Sequence, residues 1–208
     1  MKTTLIAVLL MAANAHGQYT QWRHSGTLHV ITTPDGADLD GATTVEDFPV
    51  LFRLHRDFFR FDQAAIGGAD IRFAAGDGTP LAYQIDTWDA EAGTASLWVR
   101  VPRIRGNAIQ AVRMFWGRDE ATSESDGEAT FGVDAGFAGV WHLGDDFEDA
   151  TPNNLNGVNK GTVNAPGIVG DGKRFAPGTF IACGEEVATL PSGNQDRTMS
   201  AWINPSSY

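Results

Sequence analysis

Cysteine occurs once in the 208 residues, at Cys183, so no disulfide can form within the chain. The fold must then be held by an apolar core, and 42% hydrophobic residues can supply one at this length. Cys183 comes after an expected strand and has no neighbouring histidine to activate it, so it reads as a buried, unreactive thiol. Basic residues are also scarce: 15 Lys and Arg stand against 26 Asp and Glu, a net charge of −11. No cluster of Lys and Arg is available to neutralise phosphates, which excludes nucleic acid as a partner. An acidic balance suits solubility, or an appetite for divalent cations. The five histidines form no H-E-x-x-H or tight ligand cluster. The Gly-x-Ser-x-Gly elbow, the P-loop and the dinucleotide fingerprint are absent as well, so no enzyme is expected.

Long hydrophobic runs are confined to the N-terminus. Lys2, an apolar run from Leu5 to Ala13 and the small-residue pattern Ala13-Asn14-Ala15 read as a secretory signal peptide over residues 1–17. That run is too short to span a bilayer as a helix. The mature chain is expected to be extracytoplasmic, in the periplasm, on the cell surface or secreted.

Glycine, by contrast, is plentiful. The 24 glycines fall between short apolar runs, as turns do in an all-β protein. Phe48, Val50, Phe52 and Leu54 alternate with Pro49, Leu51 and Arg53; Leu81, Tyr83, Ile85 and Thr87 alternate with Ala82, Gln84 and Asp86; Leu97, Val99 and Val101 alternate with Trp98 and Arg100. Further strands are expected at residues 27–33, 69–74 and 108–116, the last apolar on both faces and therefore central. Turn signals at Pro34-Asp35-Gly36, Gly76-Asp77-Gly78, Glu91-Ala92-Gly93 and Arg105-Gly106-Asn107 separate them. The fold class is all-β, an antiparallel β-sandwich over residues 18–134. A short helix is expected over residues 58–66, with Asp62 capping its final turn. Residues 118–128 read as a linker or a loop excursion ending in Phe131.

Five ordered motifs, Phe48-Pro-Val-Leu51, Gly68-Ala-Asp-Ile-Arg-Phe73, Pro80-Leu-Ala-Tyr-Gln-Ile85 with Trp88, Leu97-Trp-Val-Arg-Val-Pro102 and Met114-Phe-Trp-Gly117, resemble a bacterial domain of unknown function that commonly precedes laminin-G-like domains. The resemblance implies location and architecture, and no chemistry. That family is found in secreted and surface proteins and in the extracytoplasmic leader of proton-channel proteins of the ExbB/TolQ type.

Farther along come Phe137-Ala-Gly-Val-Trp-His-Leu143, the loop Asp149-Ala-Thr-Pro-Asn-Asn-Leu-Asn-Gly157, the glycine-rich stretch from Gly167 to Phe175, and Met199-Ser-Ala-Trp-Ile-Asn-Pro205. In that order they resemble the start of a laminin-G-like, concanavalin-A-like domain. The resemblance implies that residues 135–208 are an incomplete jelly-roll sandwich, whose missing C-terminal part, elsewhere in the same polypeptide, would be its partner.

The sequence offers three candidate sites. Asp149, Asn154 and Asn156 crowd carboxylate and amide oxygens into one loop, the hard ligands calcium prefers. Laminin-G-like domains hold calcium at a loop of this kind, though Thr151-Pro152 stands where a Ser-Gly pair is usual. Asn and Gly also build ordinary turns. Trp98 and Arg100 share the outer face of their strand and form a candidate binding pair for a glycan or an adjoining domain. Asp145, Asp146, Glu148 and Asp149 could supply a glycosidase with two carboxylates, but an acidic run is more simply a solvated face. The functional expectation is a non-catalytic extracytoplasmic recognition or adhesion module that binds a glycan or a surface protein. The alternatives are the periplasmic region of an ExbB/TolQ-type transport protein and an accessory domain of a secreted polysaccharide-degrading enzyme.

Overall fold

The computed structural model describes residues 18–183 and 190–205. The expected signal peptide, residues 1–17, lies outside the described residues. Two three-stranded antiparallel sheets make the sandwich. One has the order β1-β6-β3, with β1 His24–Ile31, β3 Arg72–Ala75 and β6 Ile109–Trp116; the other has the order β2-β5-β4, with β2 Thr44–His55, β4 Tyr83–Asp89 and β5 Thr94–Arg105. Strand β6, expected to be central, lies between two partners, and so does β5.

Side chains from the facing sheets meet in one core. Leu97 and Val99 of β5 are fully buried, as are Phe73 of β3 and Val112 of β6, and Phe52 stacks near Phe73 with ring centroids 6.4 Å apart. Truncating a leucine in such a core costs about 2–5 kcal/mol, through lost transfer energy and the cavity left behind.

Strand β4 departs from simple alternation. Its register with β5 shifts between Ile85 and Thr87, a bulge at Asp86 that turns the residues after it over. Trp88 thereby joins the core, edge-on to Phe59 and Phe61. Thr87 pairs with Ser96, on the face of β5 that carries Trp98. The expectation that Thr87 shares a face with Leu81, Tyr83 and Ile85 is therefore corrected.

The helix expected over residues 58–66 is instead two 3-10 turns, Phe61–Gln63 and Ile66–Gly68. Asp62 caps neither of them; its carboxylate is bound by the Arg60 guanidinium at 2.7 and 3.0 Å. Residues 118–126 are a loop excursion tied to the sandwich. Buried Arg72 donates to Thr122 O at 2.7 Å and to Ile71 O at 2.7 Å, and its Nε makes an ionic contact of 2.9 Å with Glu124. Ser125 Oγ accepts from Ile85 N, and Asp126 N donates to Tyr83 O, so the excursion borders the open edge of β4.

Beyond it come a single helical turn, α1 Gly127–Thr130, and a 3-10 turn, Val133–Ala135. The remaining strands form two separate two-stranded antiparallel ladders, β7 Gly157–Lys160 with β10 Phe180–Cys183, and β8 Val163–Pro166 with β9 Asp171–Arg174. Among the described residues, 198–205 make no strand pairing, and Met199, Trp202 and Ile203 are at least 80% exposed.

Candidate functional site

The outer face of the β2-β5-β4 sheet is where the second half of the chain lies down. Asp126 caps α1, its carboxylate accepting from Ala129 N at 2.9 Å. At the other end of α1, Phe131 is buried edge-on against Trp98, with ring centroids 5.7 Å apart. A Cβ at Gly127 would meet Ala150 O at 3.0 Å and Gln84 Nε2 at 3.1 Å. The helical turn, strand β4 and the acidic loop thus close on one another, and a side chain at Gly127 would require its neighbours to give by a few tenths of an ångström.

His142 joins the two halves. Its ring stacks on Trp98, with centroids 5.9 Å apart and planes at 24°. Nε2 lies 2.9 Å from Gln84 Oε1, and Nδ1 lies 3.8 Å from Asp86 Oδ2. Asp86 in turn accepts from Trp98 Nε1 at 3.3 Å. Burial pushes the Asp86 carboxyl above its usual value and His142 below its own, against the opposing pull of each on the other. Leu143 then takes a left-handed conformation, φ 60°, uncommon for a leucine, and Gly144 comes next as the chain turns into the acidic loop.

A cavity of about 500 Å³ opens along this seam. Gln84, Asp86 and His142 line it on one side, and Asp146, Glu148 and Asn156 are among the residues on the other. Hydrogen-bond acceptors dominate the lining, and no Lys or Arg contributes to it. The base nearest the loop, Lys173, is occupied with Gly144 O and with Asn164 Oδ1 at 2.6 Å.

The structure places the expected site residues along this seam, and of the two roles expected for Trp98 and Arg100 it gives them the contact with an adjoining part of the chain. Trp98 is half-buried and covered by Phe131 and His142 of the same chain, so its ring is not open to stack on a sugar. Arg100 is bound by Asp134 through contacts of 2.9 and 3.2 Å and lies 3.4 Å from Asp47. Both therefore serve the packing of the second half of the chain on the sheet.

Asp149 is buried, and its two oxygens accept from Val140 N, Thr151 N, Thr151 Oγ1 and Leu155 N at 2.9–3.0 Å. A carboxylate offers about four lone-pair sites, and these donors take them all. Asn156 Oδ1 accepts from Asp149 N at 2.8 Å, while Asn154 is exposed and directs its amide at Pro152 O. Asp149, Asn154 and Asn156 as folded do not fit a calcium ion, which needs about 6–8 free oxygens converging on one point. Among the described residues, no group of three or more His, Cys, Asp or Glu converges on a metal position. Asp149 is instead the carboxylate around which the loop is wound. Cys183 is half-buried, and burial together with the Asp149 charge pushes its thiol pKa up.

Sequence reasoning missed the Gln84, Asp86 and His142 grouping. A signal was present, because Gln84 and Asp86 stand on the polar face of one strand and Trp98 on the polar face of the next. Nothing in the pattern told that His142 would land on them.

Residues 67–158 match the model of a family described as a domain of unknown function (DUF2341). No curated protein and no solved structure matches the chain. The matched stretch begins after β2 and runs past residue 134, where the sequence suggested a boundary, to the end of the acidic loop. Strands β3 to β6, Trp98, His142 and the whole of the seam cavity except Asp171 fall within it.

Proposed function

We propose that this chain is a non-catalytic recognition module working outside the cytoplasm, and that it takes a glycan at the seam cavity. The supporting observation is the lining: carboxylates and side-chain amides from two parts of the chain, with no Lys or Arg among them. Sugar hydroxyls donate hydrogen bonds, and charged acceptors bind them more strongly than neutral ones. The same lining repels sulfated and uronic acid polymers, so the favoured ligands are neutral or amino-bearing sugars. Catalysis is not part of the reading, because both ring nitrogens of His142 face Gln84 and Asp86 and neither is turned to a nucleophile. The extracytoplasmic setting rests on the order of Lys2, the apolar run and Ala13-Asn14-Ala15. A place beside a laminin-G-like unit rests on the motifs between Phe137 and Pro205.

Calorimetry with neutral and amino-bearing oligosaccharides, and with heparin as the polyanionic control, tests this reading. Binding of the first two classes and none of heparin is expected. Asp146→Ala and Glu148→Ala, at the rim of the cavity, should each weaken binding roughly 10-fold, the worth of one hydrogen bond to a charged group. Binding unaffected by either substitution, or heparin binding as well as the rest, would overturn the assignment.

A further inference from the structure

A β-sheet edge left open offers unpaired N–H and C=O groups to any other strand, and natural sheets blunt such edges. Three of the four edges in this sandwich are blunted. Strand β2 carries Glu46, Pro49 and Arg53, with Asp47 at φ 48°. Strand β3 is covered by the returning chain, Leu81 N donating to Phe73 O and Ala75 N to Thr79 O. Strand β4 has its bulge at Asp86 and is bordered by Ser125 and Asp126.

Strand β1 has none of these devices. Its pairing with β6 runs unbroken from His24 to Ile31, without a bulge, a proline or an Asp, Glu, Lys or Arg. Thr32 N donates inward to Ala108 O, and Ile31 O accepts outward from Ala37 N. By alternation, the backbone groups of Ser25, Thr27 and His29 also point outward, and among the described residues nothing bonds them. The loop at Ala37 plugs the edge beyond His29. Leu28 and Val30, on the inner face, are only partly buried because the sheet stops beside them.

We propose that β1 is the contact surface for a second copy of this chain, joined antiparallel about a two-fold axis at Thr27. In that register Ser25 faces His29 of the second copy, Thr27 faces Thr27, and His29 faces Ser25, each pair exchanging both its N–H···O bonds. All the free outward groups are used, and the register ends where the Ala37 loop begins. The exposed face receives a Thr–Thr pair, a favourable cross-strand combination. On the inner face Leu28 stands opposite Gly26 of the other copy, which has no side chain to clash with it. The chain carries a net charge of −11, yet this stripe holds no Asp, Glu, Lys or Arg, so two acidic molecules meet along it without carboxylates facing each other. An interface of this kind is isologous, the same patch on both subunits.

Thr27 is exposed and its side chain bonds nothing among the described residues, so substitutions there report on the contact without disturbing the sandwich. Light scattering on the full chain should give a dimer. Thr27→Lys places like charges opposite each other on the axis and should weaken dimerisation roughly 10-fold, while Thr27→Val retains it. Mixing T27K with T27E should restore a dimer of the two variants. Hydrogen exchange at the Ser25, Thr27 and His29 amides should slow as concentration rises. A wild type that stays monomeric at sub-millimolar concentration, or a T27K variant that dimerises as well as the wild type, would overturn the proposal. So would a dimer in which those three amides exchange at the monomer's rate.

Discussion

Asp149 and His142 are the two side chains on which the second half of the chain is organised, and each makes a separate prediction. Replacing Asp149 with asparagine keeps the shape but swaps an acceptor oxygen for an NH2 donor facing groups that already donate. At a position only 6% exposed that leaves donors unpaired, and a loss of about 2–4 kcal/mol is expected in a denaturant melt. Calcium should give no calorimetric heat with the wild type and should not rescue the variant. His142 carries a pH dependence. Its folded pKa lies below the usual 6.5 because burial penalises the charged ring, so the unfolded chain takes up a proton that the folded one does not. The stability it contributes is full above the unfolded value and is lost as pH falls from there through the lower, folded value. Asp86, raised by burial, acts oppositely, since the folded form holds its proton at higher pH than the unfolded one does. That gain lies toward the unfolded carboxylate value of 3.8. From about pH 7 to about pH 5.5 the His142 effect should therefore appear first. The melting temperature of the wild type should drop over that window more than that of His142→Phe; equal slopes would remove the ring from the account.

At the scale of elements, alternation made β2 and β5 legible because each of them keeps a regular register over most of its length, while β6 was legible from apolar residues on both of its faces. Strand β4 was legible only as far as Ile85. A bulge inserts one residue, and a period-2 pattern read through it assigns everything beyond to the wrong face, as happened with Thr87. The seam was not legible at all, because α1 is a single turn and residues 137–156 contain no regular element whose period could be read. Tertiary contacts alone place that segment. One of them, the Arg100–Asp134 clasp, is open to test by acid. Hydrogen bonding to Arg100 holds the Asp134 carboxyl below its usual 3.8, so the clasp is complete above that pH and is lost as pH falls through the lower, folded value. Ala135 and Gly136 donate to Gly132 O and Val133 O within the same turn. Their amide exchange, corrected for its intrinsic pH dependence, should stay protected down to the usual carboxylate value of 3.8 and be released only as pH falls below it. In Asp134→Asn protection should be weak throughout, with no step.

For the molecule as a whole, the question is where the independently stable unit ends. The sequence put the boundary between residues 134 and 135, because the closed set of expected strands lies before it. The packing puts the limit later. Phe131 and His142 cover Trp98, the Asp149 loop closes on α1 at Gly127, and Leu155 is buried with Ala150. Past Gly157 the picture changes: the two ladders and the turn between them expose Val158, Val163, Phe175 and Phe180 to more than half their area, and residues 198–205 pair with no strand among the described residues. Local opening costs little where few apolar contacts are buried, and proteases cut where the backbone opens. Limited proteolysis should therefore cut first between residues 160 and 205 and leave a resistant fragment that reaches past Asn156. A chain ended after Gly157 should melt cooperatively with the Trp98 environment intact, whereas one ended after Gly132 should expose Trp98 and lose several degrees of melting temperature. A resistant fragment stopping at Gly132, with its melting temperature unchanged, would show that the seam is a docking contact between two separate units and that the sandwich does not need it.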